Sequence, residues 1–128
     1  MQHSERFLRF VEETKGAIKE TSVSDVQQDL DSGNDFLLID TREESEWATG
    51  HAKGAIHLGK GIIERDIETI VPDTSRKIVL YCGGGYRSAL AAGALQKMGY
   101  GNVYSLAGGW RAWRTGEMPT VKPVYSCC

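Results

Sequence analysis

The sequence predicts an α/β fold built on a parallel sheet, and two observations carry that prediction. Short apolar runs recur without polar alternation, the pattern of strands covered on both faces. Between these runs lie stretches with helical spacing of apolar residues, so strand and helix alternate along most of the chain. Residues 4–19, SERFLRFVEETKGAIK, set Phe7, Leu8, Val11 and Ile18 at near-helical spacing and predict an N-terminal helix. TSVSDVQQDLDSG predicts a second helix capped by Ser24. FLLID then reads as a buried strand, and KIVLYC repeats its shape, with GAIHL and NVYSL as weaker versions. REESEWATG, GIIERDIETI, RSALAAGALQKMGY and the short GGWRAWRTG supply the intervening helices. In the third of these, Leu90, Ala91, Ala94, Leu95 and Met98 form an apolar stripe, Lys97 suits the C-terminal dipole and Gly99 is the stop. The chain divides into a helical extension over residues 1–19, a domain over 20–116 and a tail over 117–128.

Composition narrows the function. A chain of 128 residues fits one domain with a real core. The formal net charge of -2 leaves no basic excess for neutralising phosphates, which argues against nucleic acid as a partner. No segment approaches the roughly 20 apolar residues that cross a bilayer, and the N-terminus lacks the apolar run of a signal peptide. The expected location is the cytoplasm, where the three cysteines, Cys82, Cys127 and Cys128, are expected to be reduced, metal-bound or catalytic.

The segment VLYCGGGYRSALAA carries the chemistry. In open parallel sheets ligands collect beyond the carboxyl ends of the strands. Asp40 follows FLLI and Cys82 follows IVLY, so both belong to that edge, with Arg42 and the run from Gly83 to Arg87 in the adjoining loops. Gly83, Gly84 and Gly85 bring no side chains and permit positive φ, so the backbone can curl around a sulfur with its N–H groups inward. The first turn of the following helix adds unpaired N–H groups, and Arg87 adds a charge. Such donors stabilise a thiolate and an anion docked on it. A buried cysteine in a packing loop is the alternative, but packing gives no reason for three glycines and an arginine ahead of a helix.

YCGGGYRSALAAGALQKMGYGNVYSLAGGWRAW resembles the active-site half of a rhodanese domain, the thiosulfate sulfurtransferase family. LLIDTREESEWATGHAKGAIHL resembles its first half, with Asp-x-Arg-Glu after a strand and a Gly-His-x-x-Gly-Ala turn. The likeness spans roughly residues 20–116 with the motifs in order. It implies an open five-stranded parallel sheet flanked by helices on both faces. It also implies a persulfide on Cys82, formed from a donor such as thiosulfate and passed to cyanide, a small thiol or a protein thiol. Neither a metal nor an organic cofactor is required. The expected site comprises Cys82 as nucleophile and Gly83, Gly84, Gly85, Tyr86, Arg87 and Ser88 around the anion. Arg87 would hold the donor's anionic end, and Tyr86 would line the entrance. Cysteine phosphatases share the logic of thiolate, N–H ring and arginine, but their loops read Cys-x5-Arg and this one reads Cys-x4-Arg. The shorter ring suits a single outer sulfur. A sulfur-relay or binding module without turnover is a further reading.

Asp40 and Arg42 are expected in supporting roles, Asp40 holding loop backbone and Arg42 paired with a nearby glutamate. His51 reads as a turn residue bonded to backbone, and His57 and His3 lack ligand partners at metal spacing. Trp110 and Trp113 read as core anchors. The cysteines of VYSCC are either a tail without a role or an acceptor for the Cys82 persulfide.

Overall fold

The computed structural model describes residues 3–122; the cysteines of VYSCC lie outside them. Helix α1 spans Glu5–Lys15, with the Ser4 side chain accepting from the amide of Phe7. Strand β1 is Lys19–Thr21 and helix α2 is Val23–Ser32. The cap of α2 is Ser22, not Ser24: its Oγ accepts from the Asp25 amide at 3.1 Å, so Ser24 already lies within the first turn. Gly33 ends α2 at φ 69, the left-handed value a C-terminal glycine supplies. Then come β2 (Leu37–Asp40), α3 (Glu44–Trp47), β3 (His51–Ala52), β4 (Ile56–His57) and α4 (Ile63–Ile70). The chain continues through β5 (Ile78–Tyr81), α5 (Tyr86–Lys97), β6 (Val103–Leu106), α6 (Gly109–Thr115) and β7 (Thr120–Val121).

Five strands form one sheet in the order β1-β6-β5-β2-β4, and every neighbouring pair is parallel. Alternation along the central strands divides the core in two. Ile78 and Leu80 of β5 and Ile39 of β2 join Ile63, Ile67, Ala91, Ala92 and Leu95 on one face, under α4 and α5. Val79, Tyr81 and Leu38 point the other way, to Val26, Trp113 and Met118. Both faces of β5 are therefore dry, which is why its sequence is apolar throughout. Helix α1 packs on α5, where Gly93 leaves room for Thr14: a Cβ at residue 93 would sit 2.9 Å from Thr14 Cγ2.

Sequence patterning located four of the five strands. The edge strand β1, Lys-Glu-Thr, has no apolar side chain, and the N-terminal helix expected through residue 19 stops at Lys15. A two-stranded antiparallel ribbon, β3 with β7, was also not anticipated, and His51 opens it. The ribbon ties the segment after α6 to the body, aided by Trp113 Nε1 donating to the Pro119 carbonyl at 2.8 Å.

Candidate active site

Parallel pairing brings the ends of β2 and β5 side by side, with Asp40 opposite Tyr81 in the register. Cys82 therefore leaves the sheet one residue beyond a carboxylate. The loop Cys82–Gly85 turns into α5 at Gly85, whose φ of 102 excludes ordinary side chains. The Gly85 amide donates to Cys82 Sγ at 3.1 Å. A helix leaves the first amides of α5 without intrahelical acceptors, so further donors belong to the same turn.

The start of α6 grips the loop from outside. The Trp110 amide donates to the Cys82 carbonyl at 2.6 Å, and the Arg111 amide to the Gly83 carbonyl at 3.1 Å. This approach needs Gly109: at φ 52, a Cβ there would lie directly against the Cys82 carbonyl.

Beneath the loop sits a buried polar network. The Asp40 carboxylate accepts from the Arg42 amide at 2.9 Å, from Arg42 Nε and Nη2, and from the Tyr81 hydroxyl at 2.6 Å. Arg42 Nη2 also donates to the Gly50 carbonyl at 2.7 Å, and the Tyr81 hydroxyl accepts from the Ala52 amide at 3.0 Å. Burial and the Asp40 hydrogen bond both push the Tyr81 phenol up, so it stays a donor to Asp40. Asp40 accepts from the loop backbone at the Arg42 amide. Arg42 departs from expectation: its carboxylate partner is Asp40, because the tight turn between them folds the guanidinium back onto its neighbour two residues away. His51 Nδ1 lies 3.3 Å from the Trp47 carbonyl, a backbone contact, and its ring stacks on Trp47.

Cys82 forms the floor of a cleft of about 750 Å³. Gly83, Gly84, Tyr86 and Arg87 line it, as do Glu43 and Glu46 at the start of α3, Arg111 of α6, and His3 and Phe7 from the N-terminal segment. Tyr86 stands at the wall, where His3 stacks edge-on at 4.9 Å between ring centres. Arg87 is not free. Its Nη1 and Nη2 donate to Glu46 Oε1 and Oε2 at 2.7 and 3.1 Å. That pair holds the Glu46 carboxyl down to about 2. Ser88 does not reach the cleft: it is fully buried, and its Oγ lies 2.8 Å from Ser105 Oγ, pairing α5 with β6. The helical phase accounts for this, since Ser88 shares the inward face with Ala91, Ala92 and Leu95.

Glu46, Arg111, His3 and Phe7 escaped sequence reasoning. Glu46 stands among three glutamates and meets Arg87 across 41 positions, so nothing local distinguishes it. Arg111 had a usable signal, because the loop after β6 opens on the same sheet edge as the cysteine loop. Among the described residues, no three His, Cys, Asp or Glu side chains cluster as metal ligands do. No described helix is long and apolar enough to cross a membrane.

The pattern of the Rhodanese-like domain matches residues 22–115. The chain belongs to that family. A sulfurtransferase of Allochromatium vinosum is 35% identical over 106 residues, covering 83% of this chain and 97% of its own. Among solved structures, a Rhodopseudomonas palustris protein of unknown function, named a possible tyrosine phosphatase, superposes with a TM-score of 0.81 at 30% identity. It covers 93% of this chain and 97% of its own. A thiosulfate sulfurtransferase from Pseudomonas aeruginosa gives 0.76 at 29% identity, over 84% of this rhodanese-like chain and 20% of the larger protein. The five-stranded parallel sheet with helices on both faces is thus the rhodanese-like architecture.

Proposed function

We propose that this rhodanese-like protein is a sulfurtransferase acting through a persulfide on Cys82. The observation that carries the reading is the placement of Cys82 Sγ on the cleft floor, with a loop amide 3.1 Å away. In the first half-reaction the Cys82 thiolate attacks the outer sulfur of thiosulfate. The S–S bond of the donor breaks, sulfite leaves with the bonding pair, and Cys82 carries S–S⁻. In the second, a nucleophile such as cyanide or a thiolate takes the outer sulfur, and Cys82 regains its thiolate. No net oxidation occurs. The amides of Gly83, Gly84 and Gly85 are suited to the transferred sulfur, because fixed N–H donors stabilise charge without reorganising. The sulfurtransferase names of relatives support the same chemistry.

A phosphatase reading rests on the name of the Rhodopseudomonas neighbour. Two features oppose it. Four residues separate Cys82 from Arg87, a tighter ring than the five of cysteine phosphatases, and Arg87 spends its fork on Glu46. Intact-mass spectrometry after incubation with thiosulfate tests the proposal. The wild type gains one sulfur atom that cyanide removes, and Cys82→Ala gains none. Turnover of p-nitrophenyl phosphate exceeding sulfur transfer would replace this reading with the phosphatase one. Persulfide formation without steady-state turnover on small acceptors would instead mark a sulfur relay.

A further inference from the structure

We infer that Arg111 is the residue that receives the anionic end of the sulfur donor. The inference rests on the sulfurtransferase reading of Cys82 and extends it to a residue outside the cysteine loop. The charges of the cleft decide it. Arg87 and Glu46 form a two-bond ion pair, so the arginine of the loop presents a neutralised fork. Glu43 lines the cleft as well, and its negative charge acts on Arg87 too. Arg111 is exposed at the cleft and has no carboxylate partner among the described residues. It is the one cleft cation left with unspent charge among them.

Its backbone position is fixed relative to the sulfur. The Arg111 amide donates to the Gly83 carbonyl at 3.1 Å, and the Trp110 amide to that of Cys82 at 2.6 Å. Arg111 is therefore anchored to the residue beside the nucleophile. Thiosulfate with its outer sulfur at Cys82 Sγ extends its sulfonate along the cleft, whose lining includes Arg111. A guanidinium suits that end, since its fork matches a tetrahedral oxyanion. The substrate class is thus a sulfane sulfur carried on a small oxyanion, in preference to an uncharged polysulfide.

Single-turnover formation of the Cys82 persulfide, followed by intact mass across thiosulfate concentrations, tests the assignment in the full chain. Arg111→Ala is expected to raise the half-saturating concentration about tenfold and to leave the plateau rate within about twofold, the pattern of a lost charge-assisted binding contact. Arg111→Lys keeps the charge and recovers part of the loss. Arg114→Ala is the control, because Arg114 lies one helical turn further along α6 and lines no part of the Cys82 cleft. An unchanged half-saturating concentration in Arg111→Ala overturns the assignment. So does an equal shift in Arg114→Ala, which would report a diffuse positive field. A wild type that gains no sulfur from thiosulfate is a separate failure: it removes the sulfurtransferase reading and this assignment with it.

Discussion

Glu46 accepts two bonds from Arg87 and one from the Glu43 amide, and this threefold engagement sets its titration. Its carboxyl is held down from 4.5 to about 2, chiefly by the Arg87 hydrogen bonds. A folded-state value below the unfolded one stabilises above the unfolded value and is lost as pH falls through the folded one. The pair is therefore fully present above about pH 4.5 and dissolves towards pH 2. Carboxyl-resolved NMR should show the Glu46 midpoint near 2 in the wild type. In Arg87→Ala it should return to the ordinary carboxylate range; no movement would mean that Arg87 does not set it. The position of Cys82 on the sheet edge was legible from sequence because its signal is local: a strand end, three glycines and a helix start. The partner of Arg87 was not, because an ion pair across 41 positions leaves no trace in spacing.

At the scale of elements, the N-terminus of α6 holds the cysteine loop in shape by backbone contact alone. Gly109→Ala is therefore expected to act at a distance in sequence. The added methyl meets the Cys82 carbonyl, and φ 52 is strained for any β-carbon. Loss of both amide contacts to the loop should slow persulfide formation by about tenfold or more, the scale on which small misplacements of reacting groups are felt. A Gly109→Ala enzyme with wild-type single-turnover rate would show that the loop keeps its shape unaided. The same scale explains which elements were readable. Strands β2 and β5 announce themselves because both faces are buried. Strand β1 borders only β6, its side chains are exposed or half-exposed, and so no apolar pattern is imposed on it. Strands β3 and β7 are two residues each and exist through pairing with one another. The helix cap was misplaced by two residues because TSVSD offers two serines, and only backbone geometry chooses between them.

Across the whole molecule, Asp40 joins parts that packing alone leaves separate. It binds Arg42 and Tyr81 directly, and through them reaches Gly50 and Ala52, the start of the ribbon. Removing it leaves a guanidinium that is 3% exposed without a counter-charge. Asp40→Ala should cost about 3–5 kcal/mol in urea unfolding, the usual penalty for orphaning one partner of a buried pair. Persulfide formation per folded molecule should be largely retained, since the carboxylate lies beneath the loop and is not among the residues lining the cleft. A loss under about 1 kcal/mol would place the network's charges in water, where such pairs contribute little.

The position of His3 has a practical consequence for anyone preparing the protein. His3 and Phe7 form one wall of the cleft, and His3 stacks on Tyr86. An affinity tag added at the N-terminus joins the chain within a few residues of His3, which lines the cleft of Cys82. An N-terminal oligohistidine leader would bring imidazoles and any metal they carry towards the cleft that Cys82 lines. Acceptor preferences measured on such a preparation would describe the leader as much as the enzyme, and an untagged N-terminus is the sample to compare.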